Sequence, residues 1–480
     1  MNRILYAADC LKVLTDRDAL PDESVDLIYL DPPFNSNSRY NLPFKGRYKS
    51  ARPVEAFVDT WHWTDENTVQ LEELDADPRT RPIADIVRFA QGVDSGATSL
   101  AAYLLNMAVR LRAMHRVLKT SGSIYLHCDP TASHYLKLIM DAVFGQKNFL
   151  NEVIWYYRGA GVPKKARARR HDILLWFAKK NGQHFFNPDP IRRPYAQATI
   201  ERFENYIGNV RGDRDYGQQE LNPKGKHPDD VIDYIQPIAP SAKDRTGYPT
   251  QKPDPLLEGI IKSSTKRNDI ILDPFCGCGT TVLAAESLGR RWIGIDISTF
   301  ATGLVRDRVR RRFPNIAPID FVLKGVPETI SEAKALAKID KFEFEKWVCG
   351  HIGAEGMFHD PGTPGADGGV DGVLRFYRIR RDQKLKPEYA IIQVKGGRVS
   401  PDSVRALRTT VDRFEVTAGV MVCFDQFMAT VENQRSRDTF RDELGTYPVI
   451  QGYSVESLLE NVPLNLPLYG LRRQGARLIA

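Results

Sequence analysis

Apolar positions along this chain follow two rhythms, and the clearest short run is Ser24-Val25-Asp26-Leu27-Ile28-Tyr29-Leu30, stopped abruptly by Asp31-Pro32-Pro33. A short apolar run that ends on prolines predicts a buried strand feeding a rigid loop at its carboxyl end. Open α/β sheets hold their ligands at such loops. From Leu100 to Leu118 apolar residues recur at helical spacing, Ser123–His127 reads as a second strand, and Tyr135–Phe144 as a further helix. Between residues 185 and 248 the rhythm weakens and Pro, Gly, Asn, Asp and Tyr accumulate, which predicts an irregular insert outside the sheet. The alternation returns with a strand at Asp269–Asp273, a glycine-rich turn, a helix over Thr281–Leu288 and a strand at Trp292–Ile295.

This α/β pattern thins out after Val305–Phe313, and Val326-Pro327 precedes one helical stretch, Ile330–Cys349. The reading is therefore two α/β domains, residues 1–320 and 321–480, with the insert inside the first. The 480 residues are 42% hydrophobic, enough for two or three real cores. With 67 Lys and Arg against 60 Asp and Glu, the formal charge of +7 permits nucleic-acid binding without arguing for it. The six cysteines are scattered without metal-ligand spacing, which points to a reducing, cytoplasmic protein. No run of about 18 apolar residues occurs, so no membrane partner is expected.

Asp273-Pro274-Phe275-Cys276-Gly277-Cys278-Gly279-Thr280-Thr281 follows a strand and opens a helix, so its glycines let the backbone approach a ligand. Asp296 ends the next strand, where a carboxylate can accept hydrogen bonds from ribose hydroxyls. Spacing alone leaves a dinucleotide open. The run resembles, at every position, the S-adenosylmethionine motif Asp-Pro-Phe-x-Gly-x-Gly-Thr-Thr of DNA amino-methyltransferases. The resemblance extends to Thr250-Gln251-Lys252-Pro253, similar to the family's preceding cofactor-contact motif, and implies an adenine-side role for Asp9. Cys276 and Cys278, with no second Cys or His pair nearby, read as small loop-packing residues rather than zinc ligands.

Transfer to an exocyclic amine asks the enzyme mainly to orient a poor nitrogen nucleophile in line with an activated methyl. The Asp31 side chain and the Pro32 carbonyl offer two acceptors for the amino hydrogens, Pro33 stiffens the loop, and Phe34 can stack on a base taken out of the duplex. Leu30–Asn35 resembles the catalytic motif of the β-class adenine-N6 and cytosine-N4 methyltransferases, in which catalytic motif, recognition region and cofactor motif occur in that order, as here. Cytosine-N4 members usually begin the motif with Ser, so Asp31 favours adenine N6. A cytosine-C5 enzyme normally places its nucleophilic cysteine after a proline, and none of the six does.

Double-stranded DNA is the partner these motifs imply. Lys164, Lys165, Arg167, Arg169 and Arg170 form a dense basic block suited to phosphates. The insert carries Tyr195, Arg202, Tyr206, Arg211, Arg214 and Tyr216, side chains that can read base edges or fill the gap of a flipped base. A second basic run, Arg306–Arg312, reads as an exposed helix face.

In the last third, Asp371 follows a Gly-rich turn and the strand Tyr389–Lys395 places Gln393 and Lys395 on one face. Asp371 with Gln393-x-Lys395 resembles the Mrr-like branch of restriction endonucleases, and Glu345 matches that branch's helix-borne acid. The resemblance implies Asp371 and Gln393 as ligands of Mg²⁺ and Lys395 as the group that orients water or meets the developing phosphorane charge. The leading expectation is a restriction-modification enzyme in one chain: a Rossmann-like S-adenosylmethionine-dependent methyltransferase followed by a smaller α/β endonuclease-like domain. Two-strand cleavage needs two nuclease centres or two binding events, which a homodimer would satisfy. The alternatives are a methyltransferase whose nuclease-like domain serves only DNA binding or dimerisation, and a non-enzymatic DNA-binding protein.

Overall fold

Val25–Leu30, the run that ends at the prolines, is a strand in which every residue except Asp26 is buried. Its side chains alternate between two cores. Ile28 and Leu30 join one apolar cluster, and Leu27 and Tyr29 join another on the opposite face. A strand buried on both faces has no polar side, which is why its sequence is a nearly continuous apolar run. The computed structural model describes residues 3–33, 38–42, 54–59, 61–93, 99–159, 161–204, 210–211, 214–215, 220–239, 242, 251–315, 321–356, 370–379, 385–434, 437–467, 472–474 and 477–479.

Among the described residues, nine strands form the first sheet: β1 (Arg3–Ala7), β2 (Val25–Leu30), β3 (Leu118–Cys128), β4 (Phe149–Tyr156), β5 (His171–Ala178), β6 (Val231–Ile232), β7 (Ile270–Asp273), β8 (Arg291–Asp296) and β9 (Val322–Lys324). Their order is β6-β4-β5-β3-β2-β7-β8-β1-β9. β5 runs antiparallel to both neighbours and the other pairings are parallel. Helices α1 (Cys10–Thr15), α2 (Ser99–Val117) and α3 (Ser133–Phe144) contribute to the first core; α4 (Asp254–Ser264), α5 (Thr280–Ser287) and α6 (Thr299–Arg312) contribute to the second. The result is a Rossmann-like sheet with helices on both sides, as expected. The insert is less detached than its sequence suggests. β6 pairs with β4, and the Ile154 N–H donates to the Asp230 carbonyl at 2.7 Å, because the edge strand's backbone needs partners.

The second sheet has the order β10 (Glu355–Gly356), β11 (Gly372–Ile379), β12 (Leu385–Lys395), β13 (Ala418–Cys423) and β14 (Ile450–Ser454). β10, β11 and β12 pair antiparallel, then β12, β13 and β14 parallel. The single helix expected over Ile330–Cys349 is two, α7 (Ile330–Ile339) and α8 (Lys341–Ile352). Asp340 breaks them: its backbone is extended, and its side chain accepts from the Glu343 N–H at 3.0 Å as the cap of α8. α9 (Pro401–Arg413) lies on the far face, with Val404, Leu407 and Val411 inward. No helix among the described residues is long and apolar enough to cross a membrane.

The Arg306–Arg312 run corrects another expectation. Arg306 is buried and donates to the His351 carbonyl at 3.1 Å, Arg308 donates to the Cys278 carbonyl, and Arg312 pairs with Asp254. The first part of the run thus fastens α6 to its neighbours, while Arg310, Arg311 and Arg312 are exposed as expected. At the same contact α6 meets α8 through glycines: a Cβ on Gly303 would lie 2.8 Å from the Gly350 carbonyl oxygen. Gly303→Val should therefore force the two helices apart and destabilise the protein by about 1–3 kcal/mol, read by urea denaturation. A variant as stable as the parent would show that the contact is not a tight one.

Candidate functional site

Four neighbouring strands deliver four carboxylates to one edge of the first sheet. Asp31 follows β2, Asp273 ends β7, Asp296 ends β8 and Asp9 lies just beyond β1. Because β2, β7, β8 and β1 are adjacent and parallel, their carboxyl ends converge, and each carboxylate has a partner that keeps it in place.

Lys252 donates to Asp31 Oδ2 at 2.5 Å, with both side chains largely buried. Asp31 Oδ1 is also buried, and among the described residues it has no hydrogen-bond partner. An acceptor withdrawn from water with no donor is costly unless a ligand supplies one. Pro32 is buried and Pro33 half-buried beside it, whereas Phe34 lies outside the described residues. The motif reading assigned Lys252 to the cofactor; its ammonium reaches the catalytic-motif carboxylate. Pro253 follows as the N-cap residue of α4, and Thr250 lies outside the described residues.

Asp273 accepts from the Phe275 N–H at 3.1 Å and from the Thr281 hydroxyl, which gives the motif's second threonine a structural task. Burial, with the charges of Asp31 and Asp296, pushes its carboxyl up to about 7 against those hydrogen bonds. The loop after it bends where the glycines permit: Gly277 and Gly279 have φ of 48° and 79°, values that L side chains resist. A Cβ on Gly279 would also lie 2.7 Å from a Val305 methyl. Pro274 and Thr280 are buried and Phe275 is half-buried. Cys276 and Cys278 are both buried, and the Cys278 Sγ lies 3.7 Å from the Thr280 hydroxyl.

Asp296 joins that loop to the next strand. Its Oδ2 accepts from the Gly277 N–H at 2.8 Å and its Oδ1 from the Ser298 N–H at 2.9 Å. Burial raises its carboxyl to about 6 even so. Ile297, next in sequence, is 70% exposed, an apolar surface at the mouth of the site that sequence patterning did not single out. Asp9 caps α1 through the Leu11 N–H and takes a two-pronged contact from the Arg110 guanidinium at 3.0 and 2.9 Å. Ala8 donates to the Asp296 carbonyl at 3.0 Å, so Asp9 stands next to the Asp296 end of the site.

A buried polar chain beneath Asp31 also escaped sequence reading. Tyr29 Oη and His127 Nδ1 are 2.8 Å apart, His127 Nε2 and Asp172 Oδ2 are 3.1 Å apart, and Tyr157 donates to Asp172 Oδ1 at 2.9 Å. Burial opposes the charge on Asp172, but the His127 hydrogen bond and the nearby Lys252 charge hold its carboxyl below the usual range. The signal was a His and an Asp at the ends of otherwise apolar strands, His127 closing Ile124-Tyr125-Leu126 and Asp172 opening Ile173-Leu174-Leu175.

β5 runs antiparallel to β3, so its start lies at this same carboxyl edge and brings the basic loop with it. Lys164, Lys165, Arg167 and Arg169 are exposed there; Arg170 is half-buried and donates to the Gly161 carbonyl. In the insert, Arg202 and Arg214 are exposed, while the Tyr195 hydroxyl is engaged, accepting from the Asn222 N–H at 3.1 Å. Tyr206 and Tyr216 lie outside the described residues, as does the Arg211 side chain.

In the second domain Asp371 Oδ2 accepts from the Val394 N–H at 2.6 Å, which brings it against β12. Glu345, on α8, is buried and meets Lys341 at 3.4 Å. Burial and then the charge of Glu345 raise the Asp371 carboxyl, while Lys395 and Lys341 oppose the rise. Gln393 is buried with Oε1 unpartnered among the described residues, and Lys395, two residues on, shares its face. The four residues singled out from the sequence thus gather in one place. No three His, Cys, Asp or Glu side chains among the described residues cluster into a metal cage.

The family model described as DNA methylase matches residues 25–304, more than half of the chain. The chain belongs to this DNA methylase family. A second model, described as restriction endonuclease, matches residues 336–439, so the methylase carries an Mrr-like nuclease domain behind it. Among curated relatives, the Type II methyltransferase M.BglII of Bacillus subtilis is 29% identical over 304 residues, covering 62% of this chain and 66% of its own length, just under two thirds. The Type II methyltransferase M.HpaI of Haemophilus parainfluenzae is 26% identical over 332 residues, covering 69% of this chain and 82% of its own. A putative DNA modification methylase of Thermus thermophilus, solved with S-adenosylmethionine, is 17% identical with a TM-score of 0.36, covering 67% of this chain and 99% of its own.

The raised carboxyls of the methylase site have a testable consequence. A carboxyl whose folded pKa lies above its unfolded value favours folding most at low pH, and that contribution is lost as pH rises through the folded value. Asp296→Asn, which lacks it, should gain on the parent by roughly 1–2 kcal/mol between pH 5 and pH 8 in urea denaturation. An equal stability difference at both pH values would contradict the assignment.

Proposed function

We propose that this methylase transfers a methyl group from S-adenosylmethionine to an exocyclic base amine of double-stranded DNA, adenine N6 in preference to cytosine N4, and that its second domain cuts DNA with Mg²⁺. The observation that carries the first part is Asp31: one carboxylate oxygen on Lys252, the other buried and without a partner among the described residues, beside the glycine loop of Asp273–Thr281.

S-adenosylmethionine supplies an activated methyl group on a sulfonium, so the chain's task is orientation. Asp296 accepts from ribose hydroxyls with the lone pairs its amide partners leave, Ile297 lays an apolar face against the adenine, and Asp9, fixed by Arg110, faces the adenine edge. Phe275, Gly277 and Gly279 let the backbone come close. Asp31 Oδ1 and the Pro32 carbonyl then accept the two amino hydrogens, which localises the nitrogen lone pair for in-line attack. As the nitrogen–carbon bond forms and the sulfur–carbon bond breaks, the amine becomes cationic, and its surplus proton passes to Asp31. Lys252 holds the other oxygen so that Asp31 cannot turn away, and the Tyr29–His127–Asp172 chain stiffens the floor below. The basic loop at Lys164–Arg170 takes the DNA backbone, and the insert reads the sequence.

In the nuclease domain Asp371, Gln393 and the Glu345 carboxylate fit Mg²⁺, which binds through one or two carboxylates and keeps several waters. The buried Gln393 Oε1, unpartnered among the described residues, and the charge of Glu345 acting on Asp371 support that fit. Mg²⁺ held by these residues would supply polarisation of the scissile phosphate, and Lys395 would position the attacking water and meet the developing charge.

Methyl-labelled S-adenosylmethionine incubated with diverse duplex DNA should label it, and Asp31→Ala should reduce the rate by at least about 10²-fold; unlabelled DNA would refute the transferase. Cleavage with Mg²⁺ should vanish in Asp371→Ala and Lys395→Ala, and cutting equal to the parent in both would leave the domain a binding module.

A further inference from the structure

Beside Lys395 lies a cleft of about 600 Å³ that the reaction above does not use. Five cations line it: Lys334 and Lys338 from α7, Lys341 at the start of α8, Lys395, and Arg398 just beyond β12; no carboxylate does. Phe424 forms a buried apolar wall, with the Lys334 ammonium 5.5 Å from its ring.

Lys334 and Lys338 lie four residues apart on one face of α7, and Lys341 opens α8 just past the break at Asp340. Like charges at that interval oppose each other, so they need a compensating group. Elsewhere in this domain the helices supply one: Lys346 pairs with Glu343, Arg405 with Asp402 and Arg408 with Asp412. Lys341 has Glu345, but Lys334, Lys338, Lys395 and Arg398 have no carboxylate partner among the described residues. A cleft whose cations outnumber their carboxylate partners suits an outside polyanion.

We infer that the cleft seats a DNA backbone, and that α7, the helix between the first sheet and the nuclease fold, guides a phosphodiester strand onto the nuclease centre. The dimensions suit a strand. From Lys334 to Lys338 the four helical residues rise about 6 Å, roughly two nucleotide steps at about 3.4 Å each. Lys395 belongs to both the cleft and the centre, so a strand along the cleft arrives at Asp371. A single nucleotide would need acceptors to read its base, and the one lining side chain that offers any is Gln426. The guiding role rests on the nuclease reading; the seat itself does not.

The test uses the full chain carrying Lys334→Gln and Lys338→Gln, both exposed positions. Binding to a labelled duplex is followed by anisotropy across a salt series. The slope of log affinity against log salt should fall by about 2, since each neutralised phosphate contributes about 0.9. Cleavage should drop at least tenfold while methyl transfer at saturating DNA is unchanged. A control pair, Arg405→Gln and Arg408→Gln, removes equal charge from α9 and should leave the slope alone. An unchanged slope in the first variant, or an equal fall in the control, overturns the inference. So does displacement of the duplex by ATP or inorganic phosphate from the parent and not from the variant, which would make the cleft a small-anion site. If the parent never cuts yet the slope falls, the nuclease reading fails and the seat stands.

Discussion

Bringing four carboxylates to one buried sheet edge is the constraint on which the rest of the methylase depends. Unpartnered, such groups would repel one another and lose solvation. Each is answered locally: Asp9 by Arg110, Asp296 by the Gly277 and Ser298 amides, Asp273 by Thr281 and Phe275, and Asp31 by Lys252. The answers differ in completeness. Among the described residues, Asp31 keeps one buried oxygen without a donor, the opening that the proposed substrate amine would fill.

The same logic recurs on a smaller scale behind it. The charge of Glu345 raises the cost of Asp371, Gln393 hides an oxygen unpartnered among the described residues, and lysines stand around them. A cation between them would relieve all three at once. The two centres belong to separate sheets, yet α6, which begins three residues after Asp296, packs against α8, which carries Glu345, with Gly303 and Gly350 allowing the approach. The site-bearing elements of the two domains are therefore in contact.

The parallel sheet was legible because strands buried on both faces write themselves as apolar runs, and the glycine loop because φ near 48° and 79° leaves few residue choices. Motif and order singled out Asp31, Asp273 and Asp296, which gather at one sheet edge, and Asp371, Gln393 and Lys395, which gather in the second domain. Partnerships were not readable. Nothing local ties Lys252 to Asp31 across 221 positions, or Arg110 to Asp9 across 101. The break at Asp340 was hidden because both helices keep one apolar rhythm, and the pairing of Val231–Ile232 because a two-residue strand has no period to detect. Arg306 misled because charge at helical spacing looks the same whether it faces solvent or a neighbouring helix.

The most direct test is to express the protein in a methylation-free bacterial host and sequence the genomic DNA for modified bases. The account predicts N6-methyladenine confined to one short sequence context and absent when Asp31→Ala is expressed at the same level. A genome without modified bases, or one modified equally by Asp31→Ala, would contradict it.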